Sequence, residues 1–320
     1  MTQEQADWFA GAFGQLVANV DKAILGKEHS IRLVVTAMLS GGHVLLEDVP
    51  GTGKTVLAKA LANTIEGTQS RIQFTPDLLP SDVTGVTIYD QSNGKFEFHP
   101  GPIFASVVLA DEINRASPKT QSALLEVMEE GVVTVDGVGH PVGSPFMVIA
   151  TQNPIEQAGT YTLPEAQLDR FLIKTSLGYP DHDTTVRLLL DSSNRSRAAG
   201  VSPIIASESV NTMAALAAEV HTDGAVMGYL SEIISATRAD KDAALGVSIR
   251  GALALARAAK TWAIASGRTY VTPDDIRDLA VSVLAHRVIV DPEAEFSGVK
   301  AEEIVARAMS EVTPPAYRAA

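Results

Sequence analysis

A glycine-rich turn between an apolar strand and a helix constrains the fold of this chain more than any other feature. The run 43–46 (HVLL) is short and apolar, as in a buried strand, and residues 56–65 have helical spacing. Between them, residues 48–55 read DVPGTGKT. This is close to the pattern G-x-x-x-x-G-K-[ST] of phosphate-binding loops, although Asp48 stands at the first glycine position.

The residue types in this turn suit a bound triphosphate. Small residues let backbone N–H groups turn inward around a phosphate, and the start of the following helix favours an anion. Lys54 supplies a positive charge to the β- and γ-phosphates, and the Thr55 hydroxyl can ligate Mg²⁺. The alternative is a glycine-rich turn with an unrelated Lys-Thr pair. We therefore predict a site for ATP with Mg²⁺ and assign these loop residues to the nucleotide: Pro50, Gly51, Thr52, Gly53, Lys54, Thr55 and Val56.

A second buried strand ends in two acids. The apolar run 107–110 (VVLA) is followed by Asp111 and Glu112. Beside a phosphate loop, Asp111 would hold Mg²⁺ and Glu112 would polarise the attacking water. The alternative is an acidic pair at a solvated strand end. The preceding phosphate loop favours the catalytic interpretation.

Strand and helix patterns alternate up to about residue 178, which predicts an α/β fold with a parallel sheet covered on both faces. Further strand candidates are 71–74, 106–109 and 146–150. Hairpins are predicted at 85–98, around Asn93-Gly94, and at 132–142, around Asp136-Gly137. From about Asp183 the chain is alanine-rich and helical, with helix candidates at 248–266 and from Thr272-Pro273. We predict an ATP-binding core over residues 1–182, including the N-terminal helices, and a helical lid domain over residues 183–320.

Several single residues are assigned simple structural roles. Leu253, Leu255 and Trp262 on the long helix are predicted to lie in the core. His99 and His140, each before a proline, are predicted to be turn residues rather than metal ligands.

Composition narrows the class of protein. The chain has 320 residues, no cysteine and a formal net charge of -13. The absence of cysteine excludes disulfides and thiolate metal sites. The negative net charge disfavours nucleic acid as a partner. The first residues are polar and acidic, unlike a secretory signal, and no apolar stretch is long enough for a membrane span. We expect a soluble cytoplasmic protein.

Short motifs across the chain together resemble one family. These are 74–80 (FTPDLLP), 101–104 (GPIF), 111–116 (DEINRA), 150–154 (ATQNP) and 163–171 (LPEAQLDRF). They are similar to segments of MoxR-type AAA+ ring ATPases, and the resemblance extends from about Ile24 to Arg287. It implies a P-loop core of three αβα layers with hairpin inserts that face a pore, followed by a helical lid.

The resemblance also implies residue roles. Asn153 would be the sensor-one amide, for which an Asn-Pro turn is the alternative. Arg170 would be an arginine finger reaching the ATP of the neighbouring subunit, for which a surface salt bridge is the alternative. Arg250 would be sensor two, coupling nucleotide state to the lid, or else a solvated helix residue. Gly26 and Lys27 stand where such proteins hold the adenine by backbone contacts.

The function implied by the resemblance is ATP hydrolysis between the subunits of a ring, expected to be a hexamer, that remodels a partner protein. Relatives are regarded as chaperone-like and often act with proteins that contain a von Willebrand factor A domain. Two alternatives stay open. One is a nucleic-acid or chelatase-type motor, and the other is a nucleotide-gated binding scaffold that hydrolyses little.

Overall fold

The computed structural model describes residues 1–49, 51–92, 94–153, 161, 163–190 and 197–315. Pro50, Asn93 and Pro154, which carry sequence predictions, lie outside the described residues. In the first half, the elements follow one another as α1 (Gln3–Asp21), α2 (Glu28–Leu39), β1 (Val44–Glu47), α3 (Lys54–Thr64), β2 (Gln69–Gln73), α4 (Pro80–Thr84), β3 (Gly85–Asp90), β4 (Lys95–Pro100), β5 (Val107–Asp111), α5 (Pro118–Glu130), β6 (Val132–Val135), β7 (Val138–Pro141), β8 (Met147–Gln152), α6 (Glu165–Leu168) and β9 (Ile173–Thr175).

Five of these strands form the central sheet, in the order β2-β5-β8-β1-β9, and every neighbouring pair is parallel. The predicted strands all lie in this sheet, with boundaries shifted by one or two residues. The edge strand β9 was not predicted, because three residues are too short for a periodic pattern. The sheet places the residues after β1, β5, β8 and β9 along one edge.

Both faces of the sheet are buried, as parallel strands require. Val44 and Leu46 pack on one side with helices α2 and α3, whereas Leu45 packs on the other side with α5. This alternation confirms the predicted three-layer α/β core.

Two antiparallel pairs interrupt the α/β pattern at the predicted positions. Strand β3 pairs with β4, and β6 pairs with β7. In the second hairpin, Asp136 and Gly137 have φ values of +51° and +79°, the left-handed conformation that a tight two-residue turn needs. The aromatic rings of Tyr89 and Phe96 pack across the first hairpin with centroids 5.1 Å apart, and Phe96 is largely exposed.

The second half is mainly helical, as predicted. Its elements are α7 (His182–Leu190), α8 (Ser207–Ala218), α9 (Gly224–Ala239), β10 (Ala243–Leu245), α10 (Ile249–Ala265), α11 (Pro273–Leu284), β11 (Ile289–Val290), α12 (Pro292–Phe296) and α13 (Ala301–Glu311). The start of α11 is capped as its sequence predicts, because the Asp275 carboxylate accepts the Thr272 N–H at 2.7 Å. A small antiparallel pair, β10 with β11, was not expected.

Some predictions for single residues were wrong. Leu255 and Trp262 are buried, but Leu253 is 66% exposed because it lies two positions from Leu255 and so on the opposite face of α10. His99 and His140 lie within strands β4 and β7 rather than in turns.

One buried cluster continues from the N-terminal helices into the helices after residue 183. At its surface the Arg32 guanidinium lies between the rings of Phe13 and Trp262, at 5.3 and 4.9 Å from their centroids, which ties α1, α2 and α10 together. Among the helices that the structure describes, none combines the length and apolar character needed to cross a membrane.

Candidate functional site

The glycine-rich loop follows β1 at the carboxyl edge of the sheet and leads directly into α3. Gly51 and Gly53 have φ values of +87° and +97°, which only glycine adopts without strain. Among the residues that the structure describes, no side chain caps the first turn of α3, so its backbone N–H groups are available to an anion. The Lys54 ammonium donates to the Asp48 carbonyl at 3.1 Å, which keeps it over the loop. These features fit a phosphate group.

Thr55 and Val56 occupy the first turn of α3, where Thr55 is exposed and Val56 is partly buried. The Thr52 hydroxyl donates to the Val49 carbonyl within the loop. A threonine hydroxyl and a nearby carboxylate oxygen are hard oxygen ligands of the kind that Mg²⁺ takes. The residue types at this edge therefore fit the predicted metal.

Asp111 ends β5 and is held by two donors. Its Oδ1 accepts the Thr151 hydroxyl at 2.7 Å, and its Oδ2 accepts the Arg71 guanidinium at 2.6 Å. No local sequence pattern indicates Arg71 or Thr151 as partners of Asp111. Their position on β2 and β8, the strands that flank β5, is the structural reason that they meet Asp111.

Glu112 has a strained backbone. Its φ and ψ are +56° and +50°, a left-handed conformation that costs a residue with a side chain about 1 kcal/mol or more. Its Oε2 accepts from the Gln73 amide at 2.9 Å and from the Arg115 guanidinium at 3.0 Å. Gln73 ends β2, so the carboxylate is aimed along the carboxyl edge. Such strain is typical of functional positions.

Asn153 follows β8, the strand between β5 and β1, and is 6% exposed. Because Glu47 of β1 is in register with Gln152 of β8, Asn153 lies between the phosphate loop and the acidic pair. The structure thus brings Lys54, Asn153 and Glu112 to adjacent strand ends.

Gly26 and Lys27 lie close to the same edge. Ile24, just before them, would meet a Cβ added to Gly53 at 3.2 Å, so this segment packs against the phosphate loop. The Lys27 ammonium donates to the Tyr179 carbonyl at 2.6 Å. Gly26 has a φ of +72° and leaves room for Thr184. The contact of Gly26 and Lys27 with adenine stays a prediction.

Arg170 and Arg250 lie at the other, amino edge of the sheet. Both contact Glu129 near the end of α5, Arg170 at 3.2 Å. They line a cavity of about 480 Å³ together with Gly42 and His43, which precede β1. The resemblance implies that Arg250 couples the nucleotide state to the lid, and the structure groups it with Arg170, away from the loop that carries Lys54.

The cavity carries more positive than negative charge. Its charged lining residues are Glu129, Asp169, Arg170, Arg250, Arg257 and Arg287. Burial lowers the pKa of Arg257 from its usual range. Four guanidinium groups against two carboxylates make this edge suited to a further anion.

Arg287 fixes the segment that bears Arg170. Its Nε donates to Asp169 Oδ1 at 2.6 Å, and its second terminal nitrogen donates to the carbonyls of Asp169 and Phe171 at 3.1 and 2.8 Å. The ring of His286 also bonds the Phe171 carbonyl, at 2.9 Å. Both side chains are buried.

Comparison with known proteins agrees with this architecture. Residues 43–173 match the family model for the ATPase family associated with various cellular activities (AAA), and residues 235–308 match the AAA lid domain. The chaperone MoxR1 of Mycobacterium tuberculosis is 38% identical over 317 residues, covering 95% of this chain and 82% of MoxR1. The chain belongs to the MoxR family of AAA+ ATPases.

Other comparisons extend over almost the whole of this MoxR-family chain. The protein YeaC of Bacillus subtilis is 49% identical over 307 residues, 96% of each chain. A crystal structure of a candidate ATPase from Cytophaga hutchinsonii matches with a TM-score of 0.91 at 38% identity, covering 98% of both chains. The family and the fold expected from the motifs are therefore confirmed. The predicted domain boundary at 182/183 falls between the two matched regions and stays a prediction.

Proposed function

We propose that this MoxR-family protein hydrolyses ATP with Mg²⁺ at the interface between subunits of a ring. One observation carries the proposal, namely the division of its charged residues between the two edges of one sheet. The phosphate loop, Asp111, Glu112 and Asn153 occupy the carboxyl edge, and Arg170 and Arg250 the amino edge. One subunit therefore carries both halves of a site but keeps them apart.

At the carboxyl edge, the loop amides and Lys54 hold the triphosphate. Thr55 and Asp111 are the residues that would hold Mg²⁺, which when bound neutralises charge on the phosphate oxygens. Glu112 takes a proton from a water molecule as the water oxygen attacks the γ-phosphorus. The bond between the γ-phosphorus and the β-phosphate oxygen breaks, which releases ADP and phosphate. The Asn153 amide orients that water.

Arg170 and Arg250 act on the ATP of the neighbouring subunit. Their guanidinium groups stabilise the charge that develops during transfer, as an arginine finger does. Closure of the ring brings the amino edge of one subunit to the carboxyl edge of the next. We propose a hexamer whose lid motion remodels a partner protein, one that contains a von Willebrand factor A domain.

Phosphate release by the purified chain, with and without magnesium, tests the activity directly. We expect Glu112→Gln to bind ATP like the wild type and to hydrolyse it ~10²–10⁴-fold more slowly. Lys54→Ala should lose binding as well. Wild-type rates in the Glu112→Gln protein would rule out the proposed water activation, and stimulation by DNA would favour a nucleic-acid motor instead.

A further inference from the structure

Asp48 occupies the first glycine position of the phosphate loop, and the backbone there does not require glycine. Among the described residues of the loop, positive φ values occur only at Gly51 and Gly53. Asp48 is 4% exposed, although a carboxylate is costly to bury without partners. A buried acid beside a triphosphate site needs a specific reason.

The reason lies in the segment that leaves β9. Asp48 Oδ2 accepts the Leu177 N–H at 2.6 Å, and Oδ1 accepts the Gly178 N–H at 2.9 Å. These are charge-assisted bonds, which are shorter and stronger than neutral ones. A glycine at position 48 would leave both amides without this acceptor in a largely buried place.

The backbone of Asp48 is hydrogen-bonded as well as its side chain. Its N–H donates to the Gln152 carbonyl at the end of β8 at 3.2 Å, and its carbonyl accepts the Lys54 ammonium at 3.1 Å. The same residue therefore contacts the ends of both strands beside β1 and the lysine of the phosphate loop. A change at the loop on nucleotide binding acts on Asp48 directly, because Lys54 is the group that reaches the phosphates.

Strand β9 connects this contact to the opposite edge of the sheet. The strand has three residues, Ile173–Thr175, and Arg170 precedes it on the segment that Arg287 holds. Because β9 has only three residues, a displacement at Leu177 and Gly178 would reach the segment of Arg170 along one short stretch of chain.

We propose that Asp48 is a positioning residue that transmits the nucleotide state of the phosphate loop, through β9, to Arg170 of the same subunit. The proposal rests on the ATPase proposed above, in which Arg170 serves the next subunit. Such transmission would make hydrolysis at one ATP site depend on the nucleotide bound at the neighbouring site. A purely structural Asp48 would only stabilise the fold.

The test uses the full chain as wild type, Asp48→Gly and Asp48→Asn. The glycine variant restores the usual phosphate-loop residue and removes both acceptors, and the asparagine variant keeps one. Asp275→Asn is the matched control, because Asp275 is also buried and accepts a backbone N–H at 2.7 Å, but in the capping box of α11. Binding of a fluorescent ADP and amide hydrogen exchange of residues 170–178, with and without saturating ADP, are measured on each protein.

In the wild type we expect ADP to slow exchange at Leu177 and Gly178 about tenfold. In Asp48→Gly we expect ADP affinity about tenfold weaker despite the restored glycine, and no ADP effect on residues 170–178 at saturation. For Asp48→Asn we expect an ADP affinity and an ADP effect on exchange between those of the wild type and of Asp48→Gly. Asp275→Asn should match the wild type in both measurements.

An ADP effect on residues 170–178 that persists in Asp48→Gly, or wild-type affinity in that variant, would overturn the proposal. So would the absence of any ADP effect there in the wild type. Wild-type protein that binds no ADP at all would instead remove the proposed function, and this inference with it. Binding of ADP does not require Arg170. If Arg170→Ala hydrolysed ATP as fast as the wild type, the proposed arginine finger in trans would be ruled out. The contact between Asp48 and the segment after β9 would still be tested by the amide hydrogen exchange of residues 170–178.

Discussion

Arg170 and Arg250 lie side by side on one carboxylate, that of Glu129. A single acid cannot neutralise two guanidinium groups, and the side chain of Arg250 is half exposed. The pair therefore retains positive charge at the amino edge of the sheet. An anion brought there by another subunit would complete its pairing, which is the physical basis for the shared role in trans that we propose.

The first prediction concerns this pair. Because an arginine finger contributes ~10³–10⁵ in rate, Arg170→Ala should nearly abolish hydrolysis while ATP binding is retained. We expect Arg250→Ala to lower the rate as well, and the double variant to lose less than the product of the two effects, because the residues share one carboxylate and one ligand. ATPase rates and nucleotide affinity of the three proteins measure this.

A mixing experiment separates action in trans from action in cis. Glu112→Gln and Arg170→Ala proteins should each be inactive, but mixed rings contain interfaces with an intact Glu112 facing an intact Arg170. We expect partial activity on mixing. A mixture of Glu112→Gln with Lys54→Ala is the control, because both changes lie at the carboxyl edge, and an intact cis half is then missing in every subunit. No recovery in the first mixture would contradict action in trans.

The second prediction concerns Arg287. Lysine keeps the charge but lacks the planar fork that bonds Asp169 and two carbonyls at once. We expect Arg287→Lys to lower kcat with little change in KM, because the segment of Arg170 loses its support. Arg307→Lys is the matched control, since Arg307 forms a similar fork with Asp240 and Asp242 away from both edges. Equal kcat losses in both variants would argue against a positioning role.

The sequence predicts the carboxyl edge better than the amino edge, for a physical reason. Lys54, Thr55, Asp111 and Glu112 lie in short local motifs at strand ends, and parallel strands bring such ends together. The partners that hold them, such as Gln73, follow only from the strand order. The strand order is a property of the tertiary structure. Once it is known, the end of β2, which pairs with β5, is where a partner of Glu112 is expected.

At the amino edge the relationships are between distant segments. Glu129, Arg250 and Arg287 belong to three different helical segments, and no local pattern pairs them. Burial of Arg287 also depends on the acceptors that the segment after α6 provides. The residues around His286 and Arg287 therefore carry no local sign that these two side chains are buried.

The third prediction compares Leu253 with Leu255 on α10. Helical spacing could have distinguished them, because residues two apart face opposite sides of a helix. Leu255→Ala should destabilise the fold by about 3 kcal/mol, since Leu255 is fully buried. Leu253→Ala should change the free energy of unfolding by less than about 0.5 kcal/mol.

Leu253 lines the cavity that contains Arg170 and Arg250, so its exposed side chain belongs to the proposed subunit interface. We expect Leu253→Glu to weaken ring assembly, measured by light scattering with ATP, while the unfolding of the monomer is unchanged. Phe296→Glu is a control, because Phe296 is also exposed but lies on α12 and does not line this cavity. Equal effects of the two charges on assembly would contradict the assignment.

The last prediction concerns pH and His43. Burial lowers the pKa of His43 from 6.5 to about 4, against a smaller opposing effect of the bond to the Met128 carbonyl. Its Nδ1 accepts the Val148 N–H at 3.0 Å, so the neutral ring donates from Nε2 to Met128 at 2.9 Å. Above pH 6.5 the ring is neutral in both the folded and the unfolded chain. Below it the unfolded chain takes up a proton that the folded chain does not, so stability falls as the pH drops toward 4.

From pH 7.5 to 5.0 this one group should lower the free energy of unfolding by about 2 kcal/mol. Burial also lowers the pKa of His286, which adds a loss of the same sign. Urea unfolding at the two pH values measures the total. His43→Gln keeps a donor and an acceptor but cannot titrate, so its loss should be smaller than that of the wild type by about the same 2 kcal/mol. An unchanged loss would mean that His43 is not the group that takes up the proton, and that the acid sensitivity arises elsewhere in the chain.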